Sequence, residues 1–180
     1  MRTAAAVLLS ALLVLPPRAA ALAADDHARF VAALDLARQA YKASDSRKAK
    51  RYANRLIQQA GRFHKDPIYG DAVYWGHEIN GLLALEKNDV KKAERELEDA
   101  AKTPGSPALA ADGPDMTLAL RLIELGRPAA ALKLFDRCAV IWPAGAARVE
   151  AWRAALMNGQ KPDFSGRLQL SPDAMKGTSP

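Results

Sequence analysis

An all-α fold of stacked helical hairpins is predicted by three observations. Apolar residues recur at three- and four-residue steps almost everywhere after Asp26, as in Phe30, Leu34, Ala37 and Tyr41, the spacing that lines one face of a helix. Nowhere does a run alternate with period two, so no half-buried strand is expected. Three stretches also share one internal spacing of small residues: Ala37, Ala49 and Leu56; Gly81, Ala93 and Ala100; Ala119, Ala131 and Cys138. Each set puts a small residue mid-way along one helix opposite a small residue early in the next, which lets the two axes approach closely.

Taken in order, the periodic segments predict helices at 26–43, 46–62, 68–87, 90–102, 115–126, 128–142 and 144–158. The first pair is broken by Ser44-Asp45-Ser46 and the second by Asn88-Asp89, short polar turns whose side chains can cap the next helix. The third pair is broken by Gly126-Arg127-Pro128, a glycine stop followed by a proline start. Longer links separate the pairs: Phe63 to Pro67, and Thr103 to Pro114, in which Asp112-Gly113-Pro114 offers a cap and a proline to the fifth helix. Ala144 to Asn158, with Trp152 and Leu156, reads as a capping helix; from Gly159 onward periodicity is weak, with Phe164 the residue placed to dock.

The first two dozen residues read as a targeting segment. Arg2 supplies the positive start, Ala4 to Leu15 an apolar run, and Pro16-Pro17 a break before Ala21-Leu22-Ala23, so cleavage is expected after Ala23. The apolar run is shorter than the ~20 residues that cross a bilayer; the alternative is a segment retained as an anchor. No cysteine follows it to carry a lipid. The expected organisation is therefore a cleaved signal at 1–23, one helical domain at 24–159 and a tail at 160–180. The expected location is the periplasm, with secretion as second choice. Loss of Arg2 and Arg18 lowers the formal net charge from +6 to +4, too mild for a chain built to coat a polyanion. Cys138 is the only cysteine, so no internal disulfide can form, and its small-residue position predicts a buried, inert thiol.

Counting between equivalent alanines, Ala49 to Ala93 is 44 residues and Ala93 to Ala131 is 38: like hairpins on unlike linkers. With small residues at the helix contacts, polar turns and closing prolines, the chain resembles the tetratricopeptide repeat. The third unit matches best, through Ala119, Leu122, Gly126, Ala131, Phe135 and Pro143; the second keeps Gly81, Ala84, Asn88-Asp89, Ala93, Leu97 and Ala100; the first puts Ala53 where a larger residue is usual. The resemblance spans about Asp26 to Gly159. Over Tyr69 to Phe164, the strings Trp75-Gly76-His77, Thr103 to Pro107, Gly113 to Met116 and Lys161 to Phe164 are similar to those of small exported bacterial proteins of tetratricopeptide type with no assigned function. It implies a right-handed α-solenoid of three such hairpins plus a C-terminal capping helix. It also implies that the first helix of each hairpin lines a concave groove for an extended or helical peptide. Carried over by position, the groove contacts are Arg38, Tyr41, Trp75, Glu78, Leu82, Met116 and Leu120; the competing reading is that the apolar floor is covered by neighbouring helices or the chain's own tail.

Trp75, His77 and Glu78 lie within one helical turn, and Asp115 could add a second carboxylate for acid–base chemistry. Helix capping explains Asp115 more simply. His77 has no second histidine four residues on, so no metal site is expected. With no Gly-rich phosphate loop, no Gly-x-Ser-x-Gly elbow and no cysteine nucleophile beside a base, no enzymatic activity or cofactor is expected either. Arg47, Lys48, Arg51 and Arg55 form a basic stripe on the second helix, a solvated face or a weak contact for anionic lipid. It lacks the interleaved aromatics of a nucleic-acid binder. The chain is thus expected to act as an exported adaptor or scaffold for a protein or peptide of the cell envelope. The two alternatives are a small-ligand binder or hydrolase built on His77, Glu78 and Asp115, and a self-associating structural subunit.

Overall fold

The computed structural model describes residues 18–171, and all their regular structure is helical. The elements are α1 (Arg18–Lys42), α2 (Ser46–Ala60), α3 (Tyr69–Leu85), α4 (Val90–Ala100), α5 (Pro107–Asp112), α6 (Thr117–Glu124), α7 (Ala129–Ile141) and α8 (Ala146–Met157), with single 3-10 turns at Gly61–Phe63 and Pro143–Gly145. Most of the expected leader and the last nine residues of the tail lie outside the described residues. The expected cleavage point after Ala23 falls within α1, so processing there would leave that helix starting at Ala24. No described helix is long and apolar enough to cross a membrane.

The tight turns work through side-chain caps. Asp45 Oδ1 accepts the Lys48 N–H and Asp89 Oδ1 the Lys92 N–H, both at 3.0 Å, and each such cap satisfies a backbone donor that the first turn of its helix leaves free. Ser44 and Asn88, just before the caps, turn the chain with φ of 57° and 59°, and Gly126 does so after α6 with φ of 70°. These reversals lay α2 on α1 and α4 on α3; α3 also packs on α1 and α2, α7 on α4 and α6, and α8 on α7. Every small-residue position of the threefold spacing is buried: Ala37, Ala49, Leu56, Ala93, Ala100, Ala119, Ala131 and Cys138 have no exposed surface, and Gly81 lies inside α3. A Cβ at Gly81 would stand 2.2 Å from Leu118 Cδ2, so here the small residue is what admits α6.

Two local expectations need correction. The Thr103 to Pro114 link contains α5, because the Ser106 hydroxyl accepts the Leu109 N–H and Pro107 fills the first turn. The Ser-Pro pair is itself a helix-start signal. Asp112 then ends α5 and does not open α6; Asp115 takes over, accepting the Thr117 N–H at 2.9 Å.

At the far end the aromatic residues make one cluster. Trp152 of α8 meets Phe135 of α7 at 5.8 Å between ring centres and Phe164 edge-on at 4.9 Å, and its indole N–H donates to the Asp163 carbonyl at 2.6 Å. Pairs of this kind add about 0.5–1.5 kcal/mol beyond area burial. They turn residues 160–171 back across the helices instead of letting them trail away: Phe164 is 2% exposed and Leu170 has no exposed surface.

Candidate functional site

The returning segment runs over α1, α3 and the start of α6, the surface on which the expected groove residues stand. It is held by main-chain bonds as well as side chains. The Met116 N–H donates to the Arg167 carbonyl at 2.7 Å, and the Gln169 N–H donates to Asp115 Oδ2. From α1, the Arg38 guanidinium donates to Gln169 Oε1 at 3.1 Å while lying 4.6 Å over the Trp75 ring, a stacking that fixes a long, flexible cation in one pose. Arg167 lies over Trp142 at 5.1 Å.

Of the expected contacts, Arg38, Tyr41 and Leu120 keep some exposed surface. Trp75 and Leu82 are nearly covered, and Glu78 and Met116 have no exposed surface; these last two hold the fold together and present nothing to a partner in this conformation. Burial, aided by the charges of Glu86 and Glu78, pushes the Tyr41 hydroxyl up to about 12. Two clefts remain beside the segment. One of about 460 Å³ lies between α6 and the segment, lined by Leu120, Arg121, Glu124, Phe164 and Leu168. The other, about 200 Å³, lies on the opposite side, where Leu34, Ile68 and Trp75 meet Arg38, Asp71 and Asp112. Asp71 is 4% exposed, and burial holds its carboxyl above the ordinary range against the opposing pull of Ser106 and Arg38.

His77, Glu78 and Asp115 do not form one site. His77 turns toward α4, its Nδ1 2.8 Å from Glu96 Oε2, so its partner is Glu96. Glu78 turns toward α6, accepting the Leu118 N–H at 2.8 Å, and lies within hydrogen-bond reach of Asp115. Tyr74, wholly buried, donates to the Asp115 carbonyl. Burial lifts the Glu78 carboxyl well above its usual range, and the charge of Asp115 adds to the effect. Burial raises the Asp115 carboxyl too, but it accepts two backbone N–H groups, which favour its ionised form over that of Glu78. Glu78 is therefore the acid of the pair and Asp115 its carboxylate. Neither has exposed surface, so the arrangement clamps α3, α6 and the returning segment together and offers no group to a substrate. Among the described residues no cluster of three or more His, Cys, Asp or Glu could hold a metal ion.

No family model, curated protein or solved structure matches this chain.

Sequence reasoning missed Asp163, Arg167 and Gln169 because their contacts use backbone atoms or run to residues more than 50 positions away, and such contacts leave no periodic trace. It missed Tyr74 because a lone tyrosine on an apolar helix looks like any core aromatic. The Cys138 thiol is buried and pushed up to about 12 by that burial.

Proposed function

We propose that this chain is an exported docking module, a right-handed solenoid of three tetratricopeptide-like hairpins whose concave face takes an extended peptide. Its own C-terminal segment serves there as a tethered occupant. The observation that carries this reading is the mode of attachment at residues 163–170: main-chain hydrogen bonds to Asp115 and Met116 just before α6, one arginine clamp from α1, and apolar side chains seated at Phe164 and Leu170. These are the elements by which a groove recognises an extended chain, with backbone groups giving affinity and alternate side chains giving specificity. A partner of this chemistry carries an aromatic residue, a leucine six positions on, and a side-chain acceptor just before it for Arg38. The groove residues Arg38, Tyr41, Trp75, Leu82 and Leu120 remain its walls; Glu78 and Met116 support them from below.

The test is to place a protease site at Gly159-Gln160 and to cut the folded chain. Both residues are exposed, and Gly159, whose φ of 69° favours glycine, is kept as the glycine of the inserted site. The expected outcome is that helical circular dichroism survives and a labelled peptide of residues 160–171 rebinds in a saturable way. Arg38→Glu should weaken that binding about tenfold or more, the equivalent of about 1.4 kcal/mol. Loss of helicity on cutting would replace this reading with the second one, a structural subunit sealed by its own tail, which the near-complete burial of Phe164 and Leu170 favours.

A further inference from the structure

Where the turns of the first two helix pairs meet, the sequence stripe on α2 is reorganised by its neighbours. Lys48 is drawn off into an ion pair with its own cap, Asp45, at 2.9 Å, and Arg55 stands outside the hollow that forms there. In their place the turn after α3 brings up Lys87. The result is a hollow of about 450 Å³ lined by Ser46, Arg47, Lys50, Arg51, Asn54 and Lys87. On α2 the residues 47, 50, 51 and 54 share one face.

Three features distinguish this hollow from an ordinary solvated face. First, it carries four cations and no carboxylate among its lining residues. Carboxylates stand only around it: Asp45 and Asp89 cap α2 and α4, and Glu86 sits at the rim, accepting the Ser46 hydroxyl at 2.9 Å. Second, about half of the described cations elsewhere make an ion pair, as in Arg127 with Glu94 at 2.7 Å, Lys133 with Glu98 at 2.7 Å and Arg153 with Asp136 at 2.6 Å. Arg47, Lys50 and Lys87 make no ion pair among the described residues. Third, the uncharged group that points the same way is left as a donor. Asn54 Oδ1 accepts from the Asn80 amide at 2.9 Å, which leaves the Asn54 amide N–H groups unspent. Asn80 in turn lines an adjoining hollow that shares Lys50 and Lys87 and adds Lys92 and the capping Asp89.

We propose that this hollow is a binding site for a phosphate-bearing anion with at least two phosphate groups or equivalent charges. Like charges held side by side repel one another in the free protein, and a multivalent anion relieves all of those repulsions at once. Arginine supplies a planar, bidentate grip on phosphate, and lysine a point charge that adapts to its position. The inference does not depend on the groove, which lies on another face.

The experiment is titration calorimetry of the full chain with tripolyphosphate in 0.15 M salt, where non-specific surface attraction is screened beyond about 8 Å. Wild type is compared with Lys50→Glu/Lys87→Glu and with Lys65→Glu/Lys102→Glu. The second double variant changes net charge equally at exposed positions elsewhere. Saturable one-to-one binding is expected, lost at least about tenfold in the first double variant and kept in the second. Equal loss in both, or no saturable binding at that salt, would overturn the site. Sedimentation with phosphatidylglycerol vesicles identifies the source. Binding that tripolyphosphate competes away supports a lipid headgroup; calorimetric binding without sedimentation supports a soluble phosphorylated ligand.

Discussion

Gly70→Ala is expected to destabilise the chain by about 3 kcal/mol or more, at the upper end of what overpacking costs, and to lower Tm by roughly 10 °C for a domain of this size. A Cβ on Gly70 would lie 1.8 Å from the Gly105 carbonyl oxygen and 2.3 Å from its carbon. Both are backbone atoms, and they have nowhere to retreat. The Thr103 hydroxyl donates to the Gly70 carbonyl at 2.7 Å, and Arg137 donates twice to the Thr103 carbonyl, at 3.0 and 2.8 Å. Gly105 itself has φ of 91° and backs onto Ile141. The start of α3 is thus locked to a loop that α7 holds from the other side. The same change at Gly61 is the control. Its φ of −61° is helical and nothing lies within 4 Å of an added Cβ, so Gly61→Ala should be neutral or stabilising by about 0.4–1 kcal/mol. Urea unfolding of the two variants measures both; equal stabilities would mean that the loop at Thr103 to Gly105 yields freely.

Glu78 should separate shape from charge in the buried clamp. Glu78→Ala leaves the buried Leu118 N–H without a partner inside the protein and takes one of its donors from the buried Asp115 carboxylate, and a loss of about 3 kcal/mol is expected. Glu78→Gln should behave in the opposite way. Its amide oxygen can accept the Leu118 N–H, and its amide N–H can take the place of the acid proton facing Asp115. Because the folded protein holds the Glu78 proton more tightly than the unfolded chain does, the folded state binds more protons than the unfolded one at pH values above the ordinary carboxyl range. Stability contributed by Glu78 is therefore complete at acid pH. It is lost as pH rises from about 4.5 through the raised value of the folded state. Glu78→Gln has no proton to lose, so its advantage over wild type should widen between pH 5 and pH 8. A gap that stays constant across that range, read from urea midpoints, would show that Glu78 carries no proton in the folded chain.

Both predictions concern residues to which the sequence assigned a different role or none. Gly70 is one glycine at the start of a periodic helix, and its need for a missing side chain arises only when a loop 35 residues later arrives against it. Glu78 sits among Trp75, His77 and Leu82 at a position that a helical repeat would present to a partner. What removes it from the surface is the approach of α6 and the segment at Arg167 to Gln169. By contrast, Asp45, Asp89 and the small residues of the threefold spacing were legible in advance, because caps and close helix contacts act over a few residues and recur with the helical period. The link from Thr103 to Pro114 falls between the two cases. Its Ser106-Pro107 start signal was present in the chain, yet three prolines concealed a helix of six residues.

Local propensity and period, both readable along the chain, are therefore enough to set the helical class, the tight turns within the helix pairs, and the small residues at which paired helices meet. Three features came only with the packed helices: the tail returns over α1, α3 and α6, Glu78 and Asp115 share a sealed pocket, and Lys50 and Lys87 face one hollow. Each depends on groups far apart in the chain meeting at one point. A distant contact leaves no period in the residues that make it, so that information exists only in the arrangement of the helices against one another.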